Sequence, residues 1–291
     1  MNYKYVFLIL NFNTFNETLN CIASIVDSVV SSDYAIVVVD NGSPLDVYHL
    51  LQEGIASYKN VFLLRSDQNL GFSRGNNIGY EYARMKLKAE YILQINSDTL
   101  IYQNDILIKL DKIYAETGAA VIGPDIFAVK QNIHQNPQPT ISYTRKQLLK
   151  NCINSLLHYF TNVIGIENFL IRINKRNIKI QSKVNDLASD YKKEQINVTL
   201  HGSALFFTPK YIKKYSGMYD KTFLYREENI LYYLLMENGD STYYTPKLMI
   251  THLEDASSDS LSNSEWKRRR FYYYHLFRSD CELLKLIFKR G

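Results

Sequence analysis

Near-continuous apolar runs of strand length recur along the first 125 residues, at 6–10, 35–39, 61–64, 91–95 and 119–122. Longer amphipathic stretches separate them. Thr14 is placed to cap a helix through Leu19, Ile22, Ile25, Val26 and Val29, and residues 47–55 carry helical spacing. Further helices are expected at about 73–86 and 105–116. Strands that are apolar on both faces and alternate with helices predict an α/β fold with a mostly parallel central sheet covered on both sides.

From 131 to 194 the pattern changes to Asn, Lys, Gln and Ile with poor strand signals and several helix-like patches, as expected of an insertion or a mobile subdomain. Strand-like sequence resumes at 203–208 and is closed by Pro209. A helix is expected at 227–237, a strand at 248–251, and one long helix from Asn263 to the end. The chain therefore divides into a domain over 1–258, in which 126–200 is the insertion between parts 1–125 and 201–258, and a C-terminal helical, basic tail over 259–291. No internal repeat is visible.

A chain of 291 residues can bury a core without disulfides or a structural metal. The formal charge of +5 is too diffuse for a nucleic-acid groove but suits an anionic ligand or an anionic membrane surface. Cys21, Cys152 and Cys281 are odd in number and far apart, which argues against a disulfide framework or a zinc site and fits a reducing cytoplasm. The apolar run at 6–10 is too short for a signal peptide, and polar Asn11, Asn13 and Thr14 follow it. No later stretch has the length of a membrane span. A cytoplasmic protein is expected, with peripheral contact at the inner face of the plasma membrane left open.

Chemistry is concentrated where the strands end. The first ends in Asn11, the second in Asp40-Asn41-Gly42-Ser43, the third in Arg65-Ser66-Asp67-Gln68-Asn69 and the fourth in Asn96-Ser97-Asp98-Thr99. Any one of these suits a turn. Four together point to one pocket, because ligands of open parallel sheets lie beyond the carboxyl ends of the strands. In the segment from Asn69 to Gly79 the glycines recur every four residues, unlike a dinucleotide fingerprint. Gly75 and Gly79 share a helix face suited to close packing on the sheet. Gly71 and Ser73 open that helix, where free N–H groups and the adjacent Arg74 favour an anion.

In this order these segments resemble family 2 of the GT-A fold glycosyltransferases, particularly the rhamnosyltransferase-like members that build bacterial surface polysaccharides. The resemblance spans about 5–123 and 201–258. It makes 1–125 the nucleotide-sugar-binding half and 201–258 the catalytic and acceptor half. It implies that Asp40 contacts the nucleoside and that Asn11, Asn41, Asn69, Gly71, Arg74, Asn76, Asn77, Asn96 and Ser97 surround the donor. Asn96-Ser97-Asp98 corresponds to the DxD element, with Asn96 replacing the first acid and Asp98 binding a divalent cation, Mn2+ or Mg2+. His252 would complete the metal or diphosphate site. The segment from Phe223 to Glu228 resembles the one bearing the catalytic base, which makes Glu228 the base and Glu227 its neighbour.

The implied reaction is a single inverting displacement from a dTDP-rhamnose or UDP-hexose type donor to a glycan or lipid-linked acceptor, in capsule, O-antigen or cell-wall synthesis. Two positions depart from the pattern: Ile230 and Leu234 stand where a second acid and an arginine are usual. They motivate the alternative of a catalytically silent nucleotide-sugar or glycan-binding protein. A nucleotidyltransferase would show a Gly-rich basic loop after the first strand. A processive synthase would show QxxRW, whereas the sole tryptophan, Trp266, sits in Glu-Trp-Lys. The tail, with Lys267 to Arg270 followed by Phe271 and three tyrosines, reads either as a helix packed on the core with a solvated face or as a contact with anionic lipid.

Overall fold

The computed structural model describes residues 2–140, 143–167, 191–254 and 264–289. Residues 168–190 of the expected insertion, and the stretch 255–263 with Ser257, Ser258 and the expected tail boundary, lie outside the described residues.

The apolar runs form the sheet. Strands β1 (Tyr5–Asn11), β2 (Tyr34–Asn41), β3 (Val61–Ser66) and β4 (Tyr91–Asn96) are parallel, in the order β3-β2-β1-β4. Chain order reverses between β1 and β4, so the crevice beyond the carboxyl ends opens there. The sheet extends through β9 (Ala204–Phe207), which is antiparallel to its neighbours, to β6 (Val121–Ala128) and β10 (Thr242–His252). Short strands β5 (Thr99–Leu100), β7 (Ile133–His134) and β8 (Gln195–Ile196) pair antiparallel with β10, β6 and β10.

Alternation along β1 divides the core into two layers. Phe7 and Ile9 pack on Cys21, Ile22 and Ile25 of α1 (Phe15–Ser28), with α2 (Leu45–Ile55) and α4 (Ile106–Thr117) on the same side. Val6 and Leu8 face Tyr80 and Ala83 of α3 (Phe72–Met85). That contact is close because Gly79 lacks a side chain: a Cβ there would lie 2.2 Å from Leu8 Cδ1. The shared glycine face of α3 therefore packs on the sheet, as its spacing predicts.

Two strands run longer than their sequence suggests. β6 continues past the expected 122 through Gly123-Pro124-Asp125 to Ala128, and β10 starts six residues before the expected 248. The β6–β10 register shifts between Thr245 and Met249, opposite Pro124 and Asp125. An irregularity tolerates proline in a ladder but breaks the period-two pattern that would reveal the strand.

After β7 comes α5 (Arg145–Val163), opened by a capping box between Thr144 and Gln147. A short α6 (Pro209–Lys214) follows β9, and α7 (Glu227–Glu237) starts at the expected residue. The C-terminal α8 (Glu265–Phe288) lies antiparallel to α5. Arg145 stacks on Phe288, Cys152 Sγ lies 3.6 Å from Cys281 Sγ, and Asn162 Oδ1 accepts from Arg270. Leu148, Ile230 and Leu283 bury one another where α5, α7 and α8 meet. Of the two readings of the tail, packing on the core is the one this geometry displays.

Candidate active site

The first cleft, about 690 Å³, opens at the β1/β4 crevice. Asn41, Asn69, Gly71, Asn96, Ser97 and Asp98 supply its polar lining, and Phe12, Phe72 and Phe223 supply aromatic walls. Six of the residues expected around a donor and its metal are thus brought together. Of the others, His252 lies beside Asp98 and the rest fall into two groups.

Asn11 and Asp40 lie beneath the cleft floor with no exposed surface. Asn11 Nδ2 donates to Asp40 Oδ1 at 2.8 Å, while its Oδ1 accepts from the Thr14 hydroxyl at 3.1 Å and the Thr18 hydroxyl at 3.0 Å. Arg65 covers Asp40, donating to its Oδ2 at 2.9 Å and stacking on Tyr48. In this structure Asp40 ties β1, β2 and β3 together and does not face the cleft. The Thr14 hydroxyl lies 3.0 Å from Ser97 Oγ, bridging the β1 and β4 ends, and makes no cap bond to α1, contrary to its expected role. Asp40→Ala strands a partly buried guanidinium and the Asn11 amide. It should therefore lower thermal stability by several degrees without any ligand, as removal of one buried partner does. Unchanged melting with weakened nucleotide binding would instead make Asp40 a direct contact.

Arg74, Asn76 and Asn77 point elsewhere. Arg74 lies in a separate groove with Asp220, Lys221 and Arg278, which meets the cleft only at Phe223. Asn76 donates to Phe72 O within its own helix. Asn77 clamps the chain at Met218, donating to its carbonyl and accepting from its N–H, both at 2.8 Å. Two N–H groups at the start of α3 are taken up within the chain. Gly71 N–H donates to Asn69 Oδ1 and Phe72 N–H to Phe223 O, each at 2.8 Å. Gly71 has φ +82°, and a Cβ would come 2.2 Å from Phe223 O, so glycine is needed for this strap. Of the expected anion cradle, the Gly71 N–H is thus taken up by a contact within the chain and the Arg74 side chain lies in the neighbouring groove.

At the inner end of the cleft, Asp98 Oδ1 lies 3.2 Å from His252 Nε2, both side chains buried. Gln135 settles which histidine nitrogen carries the proton. Its amide nitrogen donates to Glu254 Oε1 at 2.9 Å, so its oxygen accepts from His252 Nδ1–H at 2.7 Å. Nε2 is left facing a carboxylate oxygen, where it can share a cation with Asp98. One oxygen and one imidazole nitrogen suit Mn2+, and the protein supplies no closed cage: among the described residues no group of three or more His, Cys, Asp or Glu could hold an ion. The pair fits a metal that takes its remaining ligands from a diphosphate and water. Gln135 was not legible in the sequence, because it lies just past the short β7 in the stretch with poor strand signals.

A second cleft, about 820 Å³, adjoins the first across Phe72, Asn96 and Leu224. Glu227 and Glu228 open α7 at its wall, facing Tyr272 and Leu276 of α8. The turn before them is unusual. Tyr225 and Arg226 have φ +73° and +70°, two consecutive left-handed residues that are not glycine. Partners from distant elements hold it. Arg226 donates to Asp280 and to the Tyr143 hydroxyl, both at 2.7 Å, and Ser279 Oγ donates to Leu224 O. Phe223 stacks on His275 and Tyr225 meets Tyr272 edge-on.

The two glutamates sit in different environments. Glu227 is buried, and burial, then the adjacent Glu228, push its carboxyl up to about 8. Glu228 is half-buried and lines the cleft; burial raises its carboxyl too, opposed by hydrogen bonds that include Gly202 N–H to Oε1 at 3.2 Å. A Cβ at residue 202 would stand 2.7 Å from that oxygen, so Gly202 makes room for the acid. The folded state keeps a proton on Glu227 that the unfolded chain loses near the ordinary carboxylate value of 4.5. Stability should therefore fall as pH rises from there to about 8, by on the order of 5 kcal/mol. Glu227→Gln should remove that slope and melt above wild type at pH 9; parallel melting curves across this range would refute the assignment.

Ile230 and Leu234 pack against α5 and α8, Ile230 with no exposed surface. Hydrophobic burial against these two helices occupies the positions where an acid and an arginine are usual.

Comparison with known proteins accords with this arrangement. The chain is 32% identical over 113 residues to the low-salt glycan biosynthesis hexosyltransferase Agl10 of Haloferax volcanii, a match covering 39% of this chain and 34% of that protein. It thus spans about a third of that relative's length. The crystal structure of S. aureus TarS 1–349 superposes with a TM-score of 0.52 at 12% identity, over 86% of this chain and 60% of that one, which shows a shared fold. The sheet order, the crevice at β1/β4 and the C-terminal helix agree with the GT-A fold. Residues 8–166, more than half of the chain, match the glycosyl transferase family 2 model, and the protein belongs to that family.

Proposed function

We propose that the protein transfers a sugar from a nucleoside-diphosphate sugar to a hydroxyl of a glycan or lipid-linked acceptor, with inversion at the anomeric carbon. The observation that carries this reading is the meeting of two clefts at Phe72, Asn96 and Leu224, one reaching Asp98 and the other Glu227 and Glu228. A donor in the first cleft would present its anomeric carbon at this junction, with the acceptor approaching from the second.

In this scheme Asn41, Asn69, Asn96 and Ser97 bind the donor, while Asn11 and Asp40 fix the strand ends that carry them. Asp98 and His252 would hold Mn2+ or Mg2+, which neutralises charge developing on the departing diphosphate. Glu228 takes the proton from the acceptor hydroxyl as its oxygen attacks the anomeric carbon. The bond to the donor phosphate oxygen breaks in the same step. Glu227, protonated beside it, spares Glu228 a neighbouring negative charge. Tyr272 and Leu276 offer the acceptor an apolar and aromatic wall. The donor class is dTDP-rhamnose or UDP-hexose and the pathway a bacterial surface polysaccharide.

The burial of Ile230 and Leu234 leaves both clefts and both glutamates in place, which favours an active enzyme over a silent binding protein. Incubation with a panel of UDP-, dTDP- and GDP-sugars, Mn2+ and simple glycan acceptors tests it. Product of inverted configuration, or slow donor hydrolysis, is expected; turnover of no sugar while donor binding persists would support the silent protein.

A further inference from the structure

The apolar arc of α5 is broader than its packing requires. Leu148, Cys152, Ser155 and Asn162 face the protein and are buried. A second row, Leu149, Ile153, Leu157, Phe160 and Ile164, follows the spacing i, i+4, i+8, i+11, i+15 and forms one continuous stripe beside it. Each of the five is between 51 and 65% exposed. Isolated exposed apolar side chains are ordinary, but five in register on one helix make a patch that calls for a partner.

The charges around the stripe point to its nature. Between Arg145 and Gly165 there is no Asp or Glu. Lys146 and Lys150 fall on the stripe's own face, three residues before Leu149 and Ile153. At its far end Trp266 of α8 is 41% exposed, with the Arg270 guanidinium stacked on its ring. An apolar row with embedded lysines and a tryptophan at its end is the composition of a helix lying in a lipid headgroup layer. A second copy of the chain would bring no acid on this face to meet the lysines, whereas an anionic bilayer would neutralise both.

We propose that this face of α5 docks on an anionic lipid surface, with the stripe entering the acyl boundary and Lys146 and Lys150 on the phosphates. The docking element is thus α5, not the tail, whose Arg269 and Arg270 are engaged with Glu167, Glu265 and Asn162. The second cleft is walled by Tyr272 and Leu276 of α8, against which α5 packs, so the surface lies one helix away from the acceptor position. A lipid-linked acceptor would reach the cleft without leaving the bilayer.

Sedimentation of the full chain with phosphatidylcholine vesicles, with and without phosphatidylglycerol, tests this in the absence of any donor. Its outcome is therefore independent of the transfer reaction. Wild type should sediment with the anionic vesicles only, and less as salt rises. The double variant Ile153→Asp with Leu157→Asp should lose binding about tenfold or more, and Lys146→Glu with Lys150→Glu should lose it comparably. All these sites are exposed, so both variants should melt with wild type. Absence of wild-type binding to anionic vesicles at low salt would overturn the proposal, as would retention of binding by the Asp double variant. A wild-type dimer that the Asp variant dissolves would assign the face to a second copy and overturn it too.

Discussion

Glu228→Gln should cut sugar transfer by about a hundredfold or more while donor affinity stays near wild type. The amide keeps the volume and can still accept from Gly202 N–H, but it cannot take a proton from the acceptor. The carboxyl sits on the first turn of α7, at the wall of the second cleft, and the donor residues line the first. Loss should therefore appear in turnover and not in binding. Burial holds the Glu228 carboxyl above its ordinary range, so the ionised base is populated at correspondingly higher pH. The rate of wild type should rise with pH along a limb displaced upward from that of an exposed carboxylate. Glu227→Gln is the internal control. Its carboxyl is already protonated near neutrality, so an amide there should retain most activity at pH 7. A dead Glu227→Gln beside a normal Glu228→Gln would exchange the two roles, and wild-type rates in both would place the base elsewhere.

The second large effect is expected from Asp98→Ala. Removing this carboxylate leaves His252 Nε2 without its 3.2 Å partner and removes the oxygen ligand from the pair. Calorimetry with Mn2+ should show the metal-dependent part of nucleotide-sugar affinity abolished. The hydrogen bonds that join Asn11, Asp40 and Arg65 run through other side chains, so the variant should remain folded. Equal donor affinity in wild type and variant, measured with Mn2+ present, would remove Asp98 from the site.

Much of this was legible in the sequence because the signal was local. Apolar runs mark β1 to β4, and the polar residues after them mark the crevice, since a parallel sheet aligns all its carboxyl ends. What a strand end does not reveal is the direction of each side chain. Asp40 and Asn41 are adjacent, and the pleat sends them apart: Asn41 lines the cleft and Asp40 goes under Arg65. Arg74 illustrates the same limit on a helix, where one residue of rotation moves a cation from the donor cleft into a neighbouring groove.

The acceptor side was harder to read for a different reason. Its wall depends on partners far apart in the chain, such as Arg226 with Asp280 and Tyr143. Nothing near Asp280 marks it as a clamp for the turn that presents Glu227 and Glu228. The basic, aromatic composition of the tail suits lipid, while Ser279 and Asp280 on its buried face hold the turn that presents the two glutamates. Gln135 was hidden likewise, because a two-residue strand and its neighbours carry too little periodicity to register.

In the proposed reaction the β1/β4 crevice binds a nucleoside-diphosphate sugar together with a divalent cation. Thermal shift of the wild-type chain against UDP-, dTDP- and GDP-sugars, each in Mn2+ and again in excess chelator, tests it most directly. At least one nucleotide sugar should raise the melting temperature in Mn2+, and most of that rise should vanish on chelation. A panel in which no nucleotide sugar shifts melting with Mn2+ present would contradict the account.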